Sequence, residues 1–497
     1  EIMYSIAKDV SKIVKKYHGS LSGEHGDGRI RAPFLKEQFG KVVYQYFVDL
    51  KHTFDPKNLF NPGVILSDTS ILENLRPVIS QQELTTAFDW RDDLSFYYAV
   101  EKCNGAGVCR KSIGGIMCPS YKATRGEEFS TRGRANLLRK ALSSEDPTKS
   151  LKNSELKEAL DLCLACKACK SECPANVDMA KLKSEYLFQI RNAGSYVKSW
   201  HIKNLGYILK IGSKAPDTFN FLQSSFLGRK LIGFERQPPL LQKKSLSDWW
   251  SACKTNNEDC STTVWVIVDI FTQYYDVSIG QDVLNLLKKC KVNIKVVFPK
   301  NSIVAMVSYG LLNEAKNELK ILHSQLNDAA KNDLIVGIEP SEVLVWRDEA
   351  KSLLNGRLPN VLLFEELLLE LDQLKVLPKF HALNTKVWVY EHCHQKSLAE
   401  TENVIKSLEL IPELQIEIIN GGCCGMAGEF GYKFPEISDT IAHQSLDNYM
   451  SRVGKNDVLV VTGTSCRKQI LDIFSIRSIH WPQLFNNTIK MKVNIEE

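Results

Sequence analysis

The chain opens with two stretches in which apolar residues recur at helical spacing. The first predicts an amphipathic helix that ends at His18-Gly19, since glycine commonly terminates helices; its apolar positions are Ile2, Ile6, Val10, Ile13, Val14 and Tyr17. The second predicts a helix over residues 35–54 that is stopped by Asp55-Pro56. The first helix has no capping residue before it, so we expect the chain to be the C-terminal part of a longer protein.

A different pattern begins after "RQPPLLQKKS" (residues 236–245), which is typical of a linker. Short β-branched runs there alternate with helical stretches, and the order strand, helix, strand, loop, helix, strand, helix occurs twice. "VWVIVDI" at 264–270 matches "VWVYEHC" at 387–393, and "DLIVGIEPSE" at 333–342 matches "DVLVVTGTSC" at 457–466. The pattern therefore predicts a duplicated α/β domain with parallel strands.

Length and charge limit the number of domains and the possible partners only loosely, whereas the cysteines indicate a specific chemistry. A chain of 497 residues has room for roughly three domains. Its 63 basic and 58 acidic residues give a net charge of +5, too small to predict nucleic acid as a partner. No apolar run of about 18 residues predicts a membrane span, while peripheral attachment stays open. Fourteen cysteines in tight clusters, with no secretory signal, predict metal ligation in a reducing, cytoplasmic compartment.

The strongest chemical signal is "CLACKACKSECP", which carries Cys163, Cys166, Cys169 and Cys173, with Pro174 next. Thiolates separated by two residues can reach different corners of one iron–sulfur cubane. In two-cluster ferredoxins of this spacing, the fourth cysteine binds the other cluster. Structural zinc would need two separated cysteine pairs. The spacing therefore predicts iron–sulfur ligation.

An upstream segment has a similar cysteine pattern with two changes. Ala106 stands where a middle cysteine would be expected, and a longer insertion, residues 110–117, precedes the Cys-Pro pair. The cysteines of this segment are Cys103, Cys109 and Cys118. By cross-ligation, Cys118 would complete one [4Fe–4S] site with Cys163, Cys166 and Cys169.

The cysteines left over, Cys103, Cys109 and Cys173, would form a second site that is short of one thiolate. Three ligands suit a [3Fe–4S] cluster, or a [4Fe–4S] cluster with a non-cysteine ligand. Two other outcomes stay open: the site is empty, or the insertion lets Cys118 serve it instead. Four basic residues follow, either as a solvated face or as charge compensation beside an anionic cluster: Arg125, Arg132, Arg134 and Arg139.

Four further cysteines follow strands in the second α/β repeat. Cys393, the pair Cys423-Cys424, and Cys466 each come after a predicted strand. Because the carboxyl ends of parallel strands meet at one sheet edge, these thiols should converge there and bind a metal centre. Iron–sulfur is the first interpretation, tetrahedral zinc the second, and a vicinal disulfide or coincidence the alternative. We expect the flanking His392 and His394 to support the site rather than ligate.

The first α/β repeat lacks this cysteine set. Glu342 stands in the place of Cys466, and the loop equivalent to the cysteine pair is "PKNSIVAMVSYG". We expect this repeat to keep the scaffold and to pack against the cysteine-bearing one. Three other cysteines are isolated and are predicted to be ordinary thiols: Cys253, Cys260 and Cys290.

Together these blocks resemble a known arrangement. "SGEHGDGRIRAP" with "FDPKNLFNPGVIL" resembles the end of the C-terminal domain of FAD-linked oxidases. "CNGAGVC" with "CLACKACKSECP" resembles the helical ferredoxin module fused to it. "HCHQKSL", "GGCCGMAGEFGY" and "VTGTSCRKQI" resemble the cysteine-rich CCG domain of glycolate oxidase iron–sulfur subunits and heterodisulfide reductases. The fused form is the D-lactate or D-2-hydroxyglutarate dehydrogenase type.

The resemblance implies specific roles for two residues. Glu24 would be a ligand of a divalent metal that holds the substrate's 2-hydroxy-carboxylate, and His25 would be the base that takes the hydroxyl proton. The partner ligands of that metal are not in this sequence.

The resemblance also implies an electron path with several partners. FAD, bound mainly by an upstream part, would oxidise a D-2-hydroxyacid and pass electrons through iron–sulfur clusters to a quinone or another carrier. Homo-oligomerisation and attachment to the inner face of the membrane stay open. The alternative is a non-catalytic iron–sulfur electron-transfer protein within a larger complex.

The expected fold class is multidomain, α+β and α/β. The predicted boundaries are: the end of the FAD-linked oxidase C-terminal domain, 1–66; a linker, 67–90; an all-α ferredoxin-type two-cluster domain, 91–235; a linker, 236–262; a degenerate CCG-like α/β repeat, 263–375; and a cysteine-rich CCG α/β repeat, 384–490.

Overall fold

The computed structural model describes residues 2–73, 84–191, 197–253, 260, 262–354 and 356–489. The chain divides into two units, Glu1–Val78 and Ile79–Glu497. In the described part of the chain, no helix is both long and apolar enough to cross a bilayer.

The first unit contains helices α1 (Ile2–Lys16) and α2 (Gly28–Phe54). The first predicted helix is confirmed. The second begins seven residues before the predicted start: Pro33 lies within its first turns, and the regular apolar pattern begins only at Leu35. Gly40 interrupts its helical path with φ 79° and ψ 163°. After α2, the Asp55 carboxylate accepts hydrogen bonds from the backbone N–H groups of Leu59 and Phe60, both at 2.9 Å, which fixes the following turn.

The second unit begins with a helical region. Within its described residues from 84 to 253, every regular element is a helix, as predicted for a ferredoxin-type domain. The α-helices are α3 (Phe96–Glu101), α4 (Pro119–Thr124), α5 (Thr131–Leu142), α6 (Pro147–Ser150), α7 (Ser154–Asp161), α8 (Ala168–Glu172), α9 (Met179–Arg191), α10 (Val197–Lys203), α11 (Leu205–Gly212), α12 (Pro216–Ser224), α13 (Phe226–Ile232) and α14 (Leu246–Ala252). Helix α14 lies in the segment that the sequence predicts as a linker.

The first α/β half follows, and its four strands are parallel in the order β2-β1-β3-β4. The strands are β1 (Thr263–Ile267), β2 (Asn293–Val297), β3 (Leu334–Gly337) and β4 (Val361–Leu362). The helices are α15 (Ile270–Tyr274), α16 (Val277–Lys289), α17 (Ile303–Ser308), α18 (Leu312–Leu326), α19 (Pro340–Arg347), α20 (Glu349–Leu353) and α21 (Phe364–Gln373).

The second α/β half has three parallel strands in the order β6-β5-β7. A parallel bridge from Val460 to Ile479 extends this sheet on the side where β4 lies in the first half. The strands are β5 (Lys386–Tyr390), β6 (Gln415–Ile418) and β7 (Val458–Val461). The helices are α22 (Cys393–Leu398), α23 (Thr401–Leu408), α24 (Phe430–Lys433), α25 (Pro435–Met450), α26 (Thr464–Phe474) and α27 (Trp481–Ile489).

The two halves share a local contact as well as a strand order. The indole N–H of Trp265 on β1 donates to Asp333, just before β3, at 2.9 Å. The indole N–H of Trp388 on β5 donates to Asp457, just before β7, at 2.8 Å. One apolar core contains residues from both sheets, so the halves pack against each other.

A buried ion-pair cluster fastens the helical region to the first half. Lys167, which precedes α8, is 3% exposed and lies 2.6 Å from Asp348. It also pairs with Glu349, and Lys170 pairs with Asp348. Burial alone would lower the pKa of Lys167, but the carboxylates of Glu349 and Asp348 raise it well above its usual value. The ammonium is therefore charged and fully engaged.

Removing one partner of a buried ion pair leaves the other buried charges without a counter-charge. We expect Lys167→Met to lower the free energy of unfolding by about 3–5 kcal/mol, because Asp348 and Glu349 then lack their counter-charge. Lys157→Met is the matched control. Its pair with Asp161 is solvent-exposed, so the loss should be about 0.3–0.5 kcal/mol. Urea unfolding followed by circular dichroism measures both; equal losses would contradict a structural role for the buried cluster.

Candidate metal centres

The loop before α8 brings three thiols close to one another. Ala165 and Lys167 adopt positive φ angles, 50° and 61°, which turn the chain tightly between successive cysteines. Burial, followed by the neighbouring Cys393, Cys169 and Cys163, raises the pKa of the Cys166 thiol well above its usual value. The backbone N–H of Met179 donates to the Cys169 sulfur at 3.3 Å. The structure thus brings Cys163, Cys166 and Cys169 together.

Cys118 lies between the two predicted cluster sites. Its sulfur accepts from the backbone N–H of Thr131 at 3.1 Å and lies 2.9 Å from the Thr131 hydroxyl. It also shares a hydrogen bond with Cys109, which lowers the pKa of the Cys109 thiol to about 6. The Cys169 thiol is close enough to contribute to the raised pKa of Cys118, behind Cys109 and burial. Cys118 is therefore placed to serve either site.

The three remaining cysteines of this region line one small pocket. Its wall includes Cys103, Ala106, Cys109, Met117, Arg132 and Cys173. The residue predicted to occupy the place of a missing ligand, Ala106, thus faces the same space as the three thiols.

Glu172, the residue before Cys173, holds the insertion at residues 110–117 against α8. Glu172 accepts hydrogen bonds from the backbone N–H groups of Ile116 and Met117, at 2.6 and 3.0 Å.

The basic residues that follow divide between the two predicted roles. The backbone N–H of Arg132 donates to the Cys109 sulfur at 3.4 Å. Arg134 is buried, donates to the Ala159 carbonyl and the Ser120 hydroxyl, and its charge opposes the rise in the Cys118 pKa. Arg125, in contrast, is exposed. Of these arginines, Arg132 and Arg134 have guanidinium groups close enough to the thiols to interact with their charge.

Four thiols converge at the carboxyl edge of the second sheet, as predicted from the strand ends. Cys393 begins α22, Cys423 and Cys424 follow β6, and Cys466 is the third residue of α26. All four are buried. The sulfurs of Cys424 and Cys466 are 3.3 Å apart, and Cys423 shares hydrogen bonds with Cys393 and Cys424. We call this set the cysteine quartet.

Side chains that the sequence reasoning missed hold the quartet's loop in place. The Lys396 ammonium donates to the carbonyls of Ile419 and Gly421, at 3.2 and 2.9 Å. The Tyr390 hydroxyl donates to the Gly422 carbonyl at 2.6 Å. Gly425 has φ +88°, and a Cβ there would lie 2.3 Å from the Ser438 carbonyl oxygen. The signal for Lys396 was its position one helical turn after Cys393.

The flanking histidines each take part in a hydrogen bond with the backbone. His392 Nδ1 accepts from the backbone N–H of His394 at 3.3 Å and so caps α22. Burial would lower the pKa of His392, but Cys393 raises it to about 9. Burial lowers the pKa of His394 to about 4. The Nε2–H group of the neutral His394 then donates to the Ala165 carbonyl at 2.9 Å.

This last hydrogen bond joins the quartet to the ferredoxin-type loop. Ala165 lies between Cys163 and Cys166, and the Ser397 hydroxyl donates to the Cys166 carbonyl at 3.4 Å. Helix α22 packs directly on α8. Cys166 and Cys393 are close enough for the charge of Cys393 to affect the pKa of Cys166. The two candidate centres are therefore neighbours.

Glu24 and His25 lie in the first unit and are exposed. His25 Nε2 is 3.8 Å from a Glu24 carboxylate oxygen, and the side chains are 85% and 86% exposed. Across the described residues, no group of three or more His, Cys, Asp or Glu side chains is arranged to hold a single metal ion. Glu24 and His25 therefore do not make a divalent-cation site on their own.

The ferredoxin-region thiols fit iron–sulfur clusters. Three of the ferredoxin-region sulfurs, those of Cys109, Cys118 and Cys169, already receive backbone N–H hydrogen bonds, which tune cluster potential.

Comparison with known proteins supports the same interpretation. Residues 1–65 match the family model for the C-terminal domain of FAD linked oxidases. Residues 99–177 match the model for a 4Fe-4S dicluster domain. The chain joins an FAD-linked oxidase segment to a dicluster domain. The resemblance inferred from the motifs is confirmed at this level.

Named relatives extend the similarity over most of the chain. It is 30% identical to D-2-hydroxyglutarate dehydrogenase of Escherichia coli K12 over 94% of this chain and 51% of that protein. It is 27% identical to the Haemophilus influenzae protein of the same name, over 95% of this chain and 52% of that one. The chain thus spans about half the length of these relatives. No solved structure matches.

A different relative covers a smaller part of the chain. One subunit of the anaerobic glycerol-3-phosphate dehydrogenase of Escherichia coli K12 is 22% identical over 50% of this chain and 65% of that protein.

A cysteine at position 106 should change the metal content of the three-thiol cavity. We expect Ala106→Cys to raise the iron content of the anaerobically purified chain and to add a second stable [4Fe–4S] resonance signal, since a fourth thiolate then faces the cavity. Ala215→Cys, at an exposed position before α12, is the control. Iron analysis and low-temperature electron paramagnetic resonance read the outcome. Identical spectra and iron counts would mean that position 106 faces no cluster.

Proposed function

We propose that this chain is the electron-transfer part of a flavin-dependent D-2-hydroxyacid dehydrogenase that acts on D-2-hydroxyglutarate or D-lactate. The observation that carries this proposal is the contact between the ferredoxin-type loop and the cysteine quartet, near Cys166 and Cys393. If both groups of thiols hold redox centres, this contact would give a buried route between them. The same chain also matches an FAD-linked oxidase segment. The relatives named D-2-hydroxyglutarate dehydrogenase favour that substrate class.

The residues of this chain would divide the work between substrate and electrons. His25 would take the substrate's hydroxyl proton, and Glu24 would be one ligand of a divalent metal that holds the substrate's 2-hydroxy-carboxylate. When bound, FAD supplies hydride acceptance, and iron–sulfur clusters supply single-electron steps. The ferredoxin-region thiols would hold two clusters, with Cys118 assigned to one of them. Arg134, near Cys118, and Lys183, whose ammonium donates to the Cys163 carbonyl at 2.7 Å, would offset the clusters' negative charge.

The cysteine quartet would hold a further metal centre, iron–sulfur by first choice and zinc by second. Four buried thiols with two histidines and the Lys396 ammonium nearby suit an anionic centre. A centre here would receive electrons across the His394–Ala165 contact and deliver them to a quinone or another carrier.

We also infer that the two α/β halves are copies of one unit. Their shared strand order and the equivalent Trp265–Asp333 and Trp388–Asp457 hydrogen bonds support this.

A second candidate function is an iron–sulfur electron-transfer protein without catalysis of its own. The similarity to one subunit of a glycerol-3-phosphate dehydrogenase over half of the chain favours it. The two candidates differ in whether Glu24 and His25 matter for substrate oxidation.

Replacement of His25 tests the catalytic assignment. In the enzyme that contains this chain and its flavin domain, we expect His25→Ala to slow flavin reduction by D-2-hydroxyglutarate by about 10²–10⁴-fold, because the base is lost. Stopped-flow absorbance of the flavin measures the rate. Oxidation of chemically reduced enzyme by a dye should keep its normal rate. His18→Ala, also exposed in the first unit, is the control. Unchanged flavin reduction would remove His25 from the mechanism and favour the second candidate.

Replacement of Cys466 tests the quartet. We expect Cys466→Ser in the whole anaerobic chain to remove one metal centre, while the ferredoxin-region signals persist, because those thiols are separate. Metal analysis distinguishes iron from zinc. Cys253→Ser, outside both groups, should leave the metal content unchanged. If Cys466→Ser and Cys253→Ser chains carry the same metals, the quartet is a cluster of thiols without a metal.

A further inference from the structure

Helices α12 and α13 form a hairpin, residues 216–232, that is anchored to the protein by one side only. Phe219 packs against a small apolar core that includes Leu241. Asn220 exchanges two hydrogen bonds with the backbone of Leu241, at 2.9 and 2.8 Å. The Gln223 amide donates to the Pro239 carbonyl at 2.9 Å. These contacts fix which face of α12 points inward.

The opposite side of the hairpin is apolar and open to solvent. Neither helix contains a buried residue. Five large apolar side chains are 58–89% exposed: Phe221, Leu222, Phe226, Leu227 and Leu231. A contiguous group of this kind marks an interaction surface, whereas single exposed leucines are ordinary. We call these five residues the apolar tip.

The segment of chain that carries the apolar tip is rich in basic residues. Residues 205–244 contain seven Lys and Arg but only two Asp and Glu. Lys210, Lys214 and Lys230 are exposed. Large aliphatic and aromatic side chains bordered by lysines are the composition with which interfacial helices enter the headgroup region of anionic bilayers. A protein partner with a matching apolar groove would not require this surplus of positive charge.

The hairpin also connects directly to the quartet's surroundings. Just after α13, the ring of Phe234 stacks on Tyr432, with ring centroids 4.9 Å apart. The backbone N–H of Glu235 donates to the Tyr432 carbonyl at 2.8 Å. Tyr432 belongs to the same apolar cluster as Cys424 and Cys466. The apolar tip therefore extends from the part of the fold that carries the last group of thiols.

We propose that the apolar tip inserts into the surface of an anionic lipid bilayer and that the nearby lysines contact its headgroups. This goes beyond the proposed function, because it depends on the hairpin alone and not on the identity of the substrate. Only its consequence, that the quartet would face an acceptor dissolved in the lipid, rests on the proposed function.

Vesicle binding tests the proposal. The anaerobically purified chain should co-sediment with vesicles of phosphatidylcholine and phosphatidylglycerol, and much less with phosphatidylcholine alone. The double variant L227E/L231E should bind at least about tenfold more weakly, because it lacks two leucines that would be buried in the bilayer. L94E/L374E, which changes two exposed leucines elsewhere, is the matched control and should bind normally. Tryptophan emission of L227W should shift to the blue on binding.

Other possible binding partners of the apolar tip would give different results. The proposal is overturned if the parent chain does not bind anionic vesicles, or if L227E/L231E binds as well as the parent. It is also overturned if the parent is a dimer that L227E/L231E dissociates without any vesicle binding, which would assign the tip to a second copy. The longer enzyme with its flavin domain must bind too; failure there would overturn the proposal by assigning the tip to a contact with that domain. Circular dichroism confirms that each variant is folded, and none of these measurements depends on dehydrogenase activity.

Discussion

The burial of many thiols at one junction is the constraint on which the second unit depends. Thiolate ligands and anionic clusters lose hydration when they are buried, and the cost is several kcal/mol per charge unless opposite charges or hydrogen-bond donors replace water. The chain supplies both around its cysteines. Basic side chains lie beside the thiols, buried or half-buried: Arg134, Lys167, Lys183 and Lys396. Backbone N–H groups reach the sulfurs of Cys109, Cys118 and Cys169 directly.

This requirement explains why the helical region is fastened to both α/β halves. Lys167 follows Cys166 directly and turns toward carboxylates of the first half, Asp348 and Glu349. On the other side, His394 and Ser397 bind the same loop from the second half. One short loop is therefore fixed from two directions. The separation of the ferredoxin-type thiols from the quartet is set by rigid contacts, as electron transfer between buried centres requires.

The sequence was most informative where chemistry has a fixed spacing. The cysteine intervals and the strand ends predicted which thiols converge, including the three that share a cavity with Ala106. Apolar periodicity predicted α1 but placed the start of α2 late, because the first turns of α2 contain Pro33 and the regular apolar spacing begins only after it. The Lys167 cluster could not be predicted, since its partners lie about 180 residues away. The exposed apolar face of α12 and α13 could not be predicted either, because only the fold shows which apolar side chains remain solvent-exposed.

The first α/β half shows what this sheet edge needs when it carries no thiols. Glu342 is the third residue of α19, as Cys466 is the third residue of α26. Its carboxyl group binds the Ser302 hydroxyl and the backbone N–H groups of Ile303 and Val304, at the start of α17. Burial raises the pKa of Glu342 to about 8. At this edge of the first sheet, a single carboxyl group thus satisfies the hydrogen-bond donors at the start of α17. In the second half the same edge is filled by sulfur, whose few and weak hydrogen bonds leave its bonding capacity for a metal.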